Sequence, residues 1–230
     1  MINFINSQKN TFLAITAMVV GVIFIDIHGL IVKYLGGEYS TIQLALFRNT
    51  FAIIPLILLL IYNKESSDLF KNLSKKFILF CFVRGSCFLA INILYYIAIN
   101  NMEFATASTL TFSSTFFIVI LSIFFLGDKV GIYRWSAVII GFIGVVMIMR
   151  PNSSIFSYYS ILPILVAFLW AVQVIVLKFI PDNFSTGKIQ FYSLFSSFLG
   201  SLVFIFFTTG HTYIETQNDF FILSLIGIFG

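Results

Sequence analysis

The chain has 230 residues, of which 60% are hydrophobic and only 10% are charged, and 30 of them are Phe. Soluble domains carry about 25% charged residues, so this composition excludes an ordinary soluble globule and predicts a polytopic membrane protein. The net charge of +4 comes from basic residues spread over loops, which argues against a nucleic-acid-binding stripe.

Apolar runs long enough to cross the hydrocarbon core, about 20 residues each, recur along the chain. They predict helices at 11–34, 40–62, 77–99, 104–126, 132–149, 159–180 and 186–208. The first run lacks a small-residue cleavage pattern and is therefore predicted to be a membrane helix, not a signal peptide. An eighth run starts near Phe220 and has about eleven residues, too few to cross, so we expect the sequence to end inside a helix.

Loop charge predicts the orientation of these helices. The basic residues concentrate on one side of the membrane: Lys64, Lys71, Lys75, Lys76, Lys129, Arg134, Lys178 and Lys188. On the opposite side only Lys33 and Arg150 occur, both at helix ends. Because short basic loops stay in the cytoplasm, we expect a multi-pass protein of the plasma (inner) membrane with a cytoplasmic N-terminus.

Two segments resemble each other. Residues 31–47, IVKYLGGEYSTIQLALF, match residues 176–192, VLKFIPDNFSTGKIQFY, with Lys33 at the position of Lys178. An odd number of helices separates the two copies, so they enter the membrane from opposite sides. Inverted repeats of this kind are typical of transporters, in which the substrate site lies near the midplane between the halves.

Charged residues inside the apolar runs are candidate functional groups, because a charge in lipid is costly unless it is paired or hydrated. At 1.5 Å rise per residue, Asp26 and Arg48 each lie roughly 12 Å from the outer edge, which predicts that they pair. A transport gate and a static ion pair have the same sequence pattern, so both remain open. Arg84 lies roughly 10 Å from the inner edge and is predicted to bind an anionic substrate group or backbone carbonyls.

Neutral polar residues complete the predicted pathway. Trp170 and Gln173 lie three residues apart on one helix face, and with Asn92 they are predicted to wall a site for a polar organic substrate. His28 lies about 200° around the helix from Asp26 and is expected to be a hydrogen-bonded packing residue. Tyr95 and Tyr96, close to a helix end, are typical of an interfacial aromatic belt.

The fourth and fifth helices carry a more specific pattern. The fourth begins with small residues, ATASTLTFSS, and ends in LGD, with Asp128 as the acid. The fifth contains Trp135, Gly141 and Gly144 and closes with Arg150-Pro151. With Arg48 and Arg84-Gly85, this pattern resembles the EamA domain of the drug/metabolite transporter superfamily, in which the acid is Glu.

The resemblance implies an all-α polytopic membrane protein, a ten-helix bundle of two inverted five-helix EamA repeats. The first repeat would occupy 11–150 and the second, incomplete at about two and a half helices, would occupy 159–230. The first half is most similar to the branch that includes S-adenosylmethionine uptake carriers. That branch tends to have an Asp four residues before the Lys that closes the first helix, whereas this chain has Gly29 there and carries its acid at Asp26.

The expected function is secondary active transport of a small polar metabolite by alternating access. The expected substrate is amino-acid-like or nucleoside-like, with S-adenosylmethionine among the candidates, and a proton or an exchanged metabolite is the candidate coupling partner. A non-transporting membrane partner subunit is the alternative, and homo-oligomerisation is left open. An intramembrane enzyme ranks third, because the chain has neither a Gly-x-Ser-x-Gly nor a His-Glu-x-x-His motif. No cofactor or metal is expected.

Overall fold

The computed structural model describes residues 2–71, 73–149, 158–181, 183–208, 214 and 216–230, with side chains at 12, 15–71, 73–147 and the later ranges. The predicted Arg150-Pro151 lies outside the described residues. Within them the chain is helical and contains no strand. Six helical segments are long and apolar enough to cross a membrane, and the all-α polytopic fold predicted from the composition is confirmed.

Among the described residues, ten α-helices correspond to the predicted apolar runs. They are α1 (Ile2–Leu35), α2 (Thr41–Phe51), α3 (Ile53–Tyr62), α4 (Lys75–Asn101), α5 (Phe104–Thr111), α6 (Ser114–Leu126), α7 (Ile132–Met149), α8 (Ile161–Lys178), α9 (Thr186–Thr208) and α10 (Gln217–Phe229). The first helix begins at Ile2, earlier than the predicted residue 11. The six spanning segments are α1, α2–α3, α4, α5–α6, α8 and α9, while α7 and α10 are shorter apolar helices.

Two predicted helices are each divided into two. The run at 40–62 breaks at Ala52, between α2 and α3. Pro55 explains this break, because it has no N–H to donate to the carbonyl four residues earlier. The run at 104–126 breaks between α5 and α6, where the Thr111 and Ser113 hydroxyls donate to the carbonyls of Ser108 and Leu110, both at 2.7 Å. Such side-chain bonds compete with helical hydrogen bonds and bend helices.

The helix α4 is the centre of the bundle, with α1, α2, α5, α8 and α9 as neighbours. The helix α10 packs against both α1 and α2. Its approach to α2 depends on Gly227, where a Cβ would lie 2.8 Å from the Arg48 carbonyl oxygen. Small residues allow such close backbone contact in membranes, where no hydrophobic force drives helices together. The polar side chains of α1, α2 and α4 therefore lie in a narrow space next to the end of α10.

Candidate functional site

Arg48 is the most unusual buried group of the described residues. Its side chain is 9% exposed, and its guanidinium carbon lies 4.2 Å from the centroid of the Phe88 ring. Its Nη1 donates one long hydrogen bond, 3.4 Å, to Oδ1 of the adjacent Asn49. The Nε atom is buried and has no hydrogen-bond partner within the described ranges. The ring gives a cation–π contact, but it supplies no hydrogen-bond acceptor for Nε.

His28 of α1 is buried beside this group and connects α1 to α4 and α10. Its Nδ1 lies 2.8 Å from the Ile226 carbonyl oxygen and its Nε2 lies 3.0 Å from the Tyr96 hydroxyl. A carbonyl only accepts, so Nδ1 carries the proton, and the neutral ring then accepts from Tyr96 through Nε2. A second positive charge on the ring would be opposed by Arg48, which interacts electrostatically with both His28 and Tyr96.

Asn92 completes this group on α4. Phe88, Asn92 and Tyr96 follow one another at four-residue intervals, which places them along one face of the helix. Asn92 is 7% exposed, and its Nδ2 has no hydrogen-bond partner among the described residues. We call His28, Arg48, Phe88, Asn92 and Tyr96 the central polar cluster. It joins α1, α2, α4 and α10, and two of its buried donor atoms have no partner in the part of the chain that the structure describes.

Asn49 connects the cluster to the second half of the chain. Its Nδ2 donates to the Ser197 hydroxyl of α9 at 3.0 Å, and both residues are fully buried. The same amide accepts from Arg48 through its Oδ1. The sequence reading did not single out Asn49 or Ser197. The only available signal was an amide immediately after a charged residue inside an apolar run.

The predicted pair of Asp26 and Arg48 is wrong. Asp26 is exposed on the outside of α1, and the only ion pair among the described residues joins Lys71 to Asp68. Asp26 and His28 point in nearly opposite directions, so the burial of His28 turns Asp26 outward. The closest interaction found for Asp26 is an electrostatic one with Tyr95 of α4. The prediction paired the two residues by depth alone, but Asp26 faces outward on α1, so the two charges do not meet.

Arg84 forms a separate contact between α4 and α9. It is partly buried, and its Nη1 donates to Gln190 Oε1 at 3.0 Å and to the Ser193 hydroxyl at 3.2 Å. Side chains, not the backbone carbonyls considered above, are therefore its partners. Its Nε is buried without a partner in the part of the chain that the structure describes.

Trp170 and Gln173 of α8 do not share one environment. Trp170 is 44% exposed, whereas Gln173 is 7% exposed and its Nε2 has no hydrogen-bond partner among the described residues. Because α8 packs against α4, Gln173 belongs to the packed interior of the bundle and Trp170 to its surface. The two residues therefore do not form the predicted common wall.

Tyr96 corrects the aromatic-belt interpretation. It is fully buried and hydrogen-bonded to His28, so it belongs to the interior. Tyr95 is partly buried and hydrogen-bonded to the Ser108 hydroxyl at 2.9 Å. The expectation that His28 is a hydrogen-bonded packing residue is confirmed, and its two partners place it inside the central polar cluster.

Gly29 shows why the acid of this chain is displaced. A Cβ at this position would lie 2.5 Å from the Phe104 ring of α5, closer than real side chains approach. An Asp at position 29 therefore does not fit while Phe104 occupies this place. The nearby exposed position of Asp26 has no such restriction.

A second polar contact lies near the start of α9. Lys188 is 6% exposed, and its Nζ donates to the carbonyls of Asp68, at 3.0 Å, and Lys71. The Tyr192 hydroxyl donates to the Leu69 carbonyl at 3.2 Å. We call Lys188, Tyr192 and the backbone of 68–71 the Lys188 clamp. The sequence reading treated Lys188 only as a charge flanking a loop.

Comparison with known proteins gives one matching family. Residues 12–150 match the family model described as the EamA-like transporter family. An S-adenosylmethionine uptake transporter from Rickettsia bellii is 26% identical over 161 residues, 70% of this chain and 54% of the relative. A riboflavin transporter from Rhizobium johnstonii is 38% identical over 66 residues, 29% of this chain and 22% of the relative.

A pseudopaline exporter from Pseudomonas aeruginosa is 26% identical over 165 residues, 71% of this chain and 56% of the relative. These matches thus extend over most of this chain for two of the three relatives. The chain spans about half the length, or less, of the curated relatives it matches.

Proposed function

Because the chain belongs to the EamA-like transporter family, we propose that it moves a small polar metabolite across the membrane by alternating access. The proposed substrate is amino-acid-like or nucleoside-like, with S-adenosylmethionine and riboflavin as the first candidates. These two compounds appear in the names of relatives that match 70% and 29% of this chain, respectively. The proposed energy source is an ion gradient or exchange of metabolites.

The observation that supports this proposal is the central polar cluster. Polar and charged residues inside a membrane bundle are costly, and those that are retained mark pathways and binding sites. A purely structural cluster is expected to satisfy each buried donor. Here the buried Nε of Arg48 and Nδ2 of Asn92 have no partner within the described ranges, which favours a site that receives a polar ligand.

The polar contacts between the proposed domains, 11–150 and 159–230, support movement of one half against the other. Asn49 reaches Ser197, Arg84 reaches Gln190 and Ser193, and Lys188 reaches the loop at 68–71. Hydrogen bonds of this kind re-form with water or ligand when two packed surfaces separate. In rocking transporters with inverted repeats, the substrate site lies between the halves near the midplane.

The proposed orientation follows from the Lys-rich loop at 63–76. With this loop in the cytoplasm of an inner-membrane protein, the N-terminus is cytoplasmic and the Lys188 clamp lies on the cytoplasmic side. The clamp then holds the two proposed halves together at the inner surface. Asp26, Arg84, Trp170 and Gln173, which lie apart from the central polar cluster, remain proposed pathway residues.

Counterflow in vesicles that contain the full-length protein tests the proposal. We expect vesicles preloaded with unlabelled S-adenosylmethionine, riboflavin or an amino acid to accumulate the radiolabelled form of the same compound. Arg48→Met should abolish this accumulation. Arg134→Gln, which removes an exposed positive charge, is the matched control and should retain exchange. Absence of exchange for the whole panel, with purification in fixed ratio to another membrane protein, would favour the partner-subunit alternative.

A further inference from the structure

We propose that the central polar cluster is a binding subsite for a single carboxylate group, with Arg48 as its anchor. This inference rests on the proposed transport function and names the chemical group by which the substrate is recognised. It starts from the charge of Arg48, which is buried and has no carboxylate partner among the described residues. A buried charge without a counterion is strongly unfavourable, so a ligand that brings the counterion gains a large share of its binding from this contact.

The geometry of the free donors favours an acceptor-rich group. The Phe88 ring lies against the guanidinium on one side, with Cζ 4.2 Å from the ring centroid, and the unpartnered Nε is the donor that is left for a ligand. Carboxylates accept hydrogen bonds from the edge of a guanidinium in the same plane. The second free donor, Nδ2 of Asn92, is one helical turn from Phe88 on the same face of α4. Both free atoms donate, and a carboxylate only accepts.

The charge of the cluster favours one negative charge over two. The positive charge of Arg48 disfavours a second charge on His28, so the His28 ring is neutral, with its Nδ1 donating to the Ile226 carbonyl and its Nε2 accepting from Tyr96. Arg48 is therefore the single positive charge of the cluster. A monocarboxylate neutralises this charge, whereas a dianionic phosphate would leave one negative charge buried. The favoured substrates are metabolites that carry an amino-acid-type carboxylate.

Among the described residues, no carboxylate forms an ion pair with Arg48. Asp26 is exposed on α1, and Asp219 of α10 accepts hydrogen bonds from the hydroxyls of Tyr39 and Thr216. Asp68 is engaged with Lys71 in the loop that leads to α4. The carboxylate that balances Arg48 is thus expected to come from the substrate.

Pairs of compounds that differ only in the carboxylate test the subsite. The thermal unfolding of purified full-length protein would be followed while one compound is titrated. The compound pairs are S-adenosylmethionine with its decarboxylated form, and each of the twenty amino acids with the corresponding amine. We expect at least one carboxylate compound to raise the Tm and to bind about tenfold or more tightly than its amine, from charge-assisted hydrogen bonds. Arg48→Met should remove this difference, Arg48→Lys should retain part of it, and Arg134→Gln should leave it unchanged.

Two results overturn the subsite. One is equal stabilisation by the members of every pair, or stabilisation by none. The other is that Arg48→Met weakens the binding of the carboxylate compound and of its amine equally, which indicates a structural role for the side chain. Counterflow of the same compounds separates this outcome from failure of the transport proposal. Exchange of acid and amine at equal rates refutes the subsite and keeps transport, and carboxylate binding without exchange keeps the subsite and refutes transport.

Discussion

Lys188 and Arg48 are buried to a similar extent, 6% and 9% exposed, and yet their surroundings differ. Lys188 donates to two backbone carbonyls and lies 5.2 Å from the Phe184 ring centroid. Arg48 contacts the Phe88 ring and donates one long hydrogen bond to Asn49. Its buried Nε has no partner among the described residues. The chain can therefore satisfy a buried cation with its own groups, and it does not do so at Arg48. On the proposal above, this difference distinguishes a contact that stabilises the fold from a binding site for a ligand.

The largest effect on stability is expected at the Lys188 clamp. Lys188→Met removes the two charge-assisted hydrogen bonds from Nζ to the carbonyls of Asp68 and Lys71, and it should lower the free energy of unfolding by about 2–4 kcal/mol. Arg48→Met is the matched variant, and it should lower stability little or raise it, because it removes a charge that has no partner. Denaturant unfolding of the purified variants measures both. A loss in Arg48→Met as large as that in Lys188→Met would contradict the comparison.

Substitution of Arg84 is expected to have an intermediate effect on stability, because Nη1 has hydrogen-bond partners and Nε has none among the described residues. Arg84→Gln should cost about 1–2 kcal/mol, the loss of charge-assisted hydrogen bonds at a partly buried site. A double-mutant cycle with Gln190→Leu should give a coupling of about 1 kcal/mol in unfolding experiments. Additive effects of the two substitutions would show that the hydrogen bond between Arg84 and Gln190 does not contribute to stability.

The bond between Asn49 and Ser197 should give a smaller effect, since both groups are neutral. Ser197→Ala is expected to cost about 1 kcal/mol of unfolding free energy. The same substitution in an Asn49→Ala background should cost clearly less, because the partner has already been removed. Equal costs in the two backgrounds would mean that this bond does not join α2 to α9 in solution.

Asp68 is expected to have the smallest effect, because its side chain is exposed and only its carbonyl takes part in the clamp. The hydrogen bond from Lys71 holds the pKa of its carboxyl below the ordinary value. Its stabilising contribution is therefore present at neutral pH and is lost as the pH falls through the lowered pKa. Asp68→Asn should lower the Tm slightly at pH 7, with the difference shrinking below about pH 4.

A decrease in the Tm of Asp68→Asn that matches Lys188→Met would indicate that the Asp68 side chain, and not the backbone, holds the clamp. The comparison of the two variants at pH 7 and pH 3 separates these contributions. It also tests whether the exposed ion pair between Lys71 and Asp68 adds measurably to the stability that the Lys188 clamp provides.

The sequence predicted the fold well because its signals are local. Apolar runs of the length of a bilayer identified each helix, and the family predicted from the fourth and fifth helices is confirmed by the match over residues 12–150. The breaks near Ala52 and between α5 and α6 were missed. Pro55 was visible, but a membrane helix accommodates proline with or without a break, depending on which neighbours satisfy the freed carbonyl.

The site was predicted less well because it depends on how the helices are rotated and which ones are neighbours. The rise per residue predicts a depth for Arg48, but the packing of α10 against both α1 and α2 has no local signature. The angle between Asp26 and His28 required one of them to face outward. Charge favoured Asp26 as the inward residue, whereas the structure buries the neutral His28, for which the fold supplies two hydrogen-bond partners.

The burial of Lys188 was not predictable for a related reason. Its partners are backbone carbonyls of a loop more than a hundred residues away, with sequence separations of 120 and 117. Any residue type supplies a carbonyl, so the sequence of that loop does not reveal the contact. The positive charge was correctly assigned to the Lys-rich side, but its role in joining two segments required the structure.

Access to the central polar cluster from the two sides of the membrane tests the central claim most directly. In full-length protein whose native cysteines are replaced, Asn92→Cys would be exposed to a membrane-impermeant thiol reagent in right-side-out and in inside-out vesicles. Ile99→Cys, also buried on α4 but within the apolar core, is the matched control. We predict that Cys at position 92 reacts from both sides, that a transported substrate slows the reaction, and that Cys at position 99 does not react. Protection of position 92 from both sides, in protein that retains counterflow, would contradict a substrate pathway through the cluster.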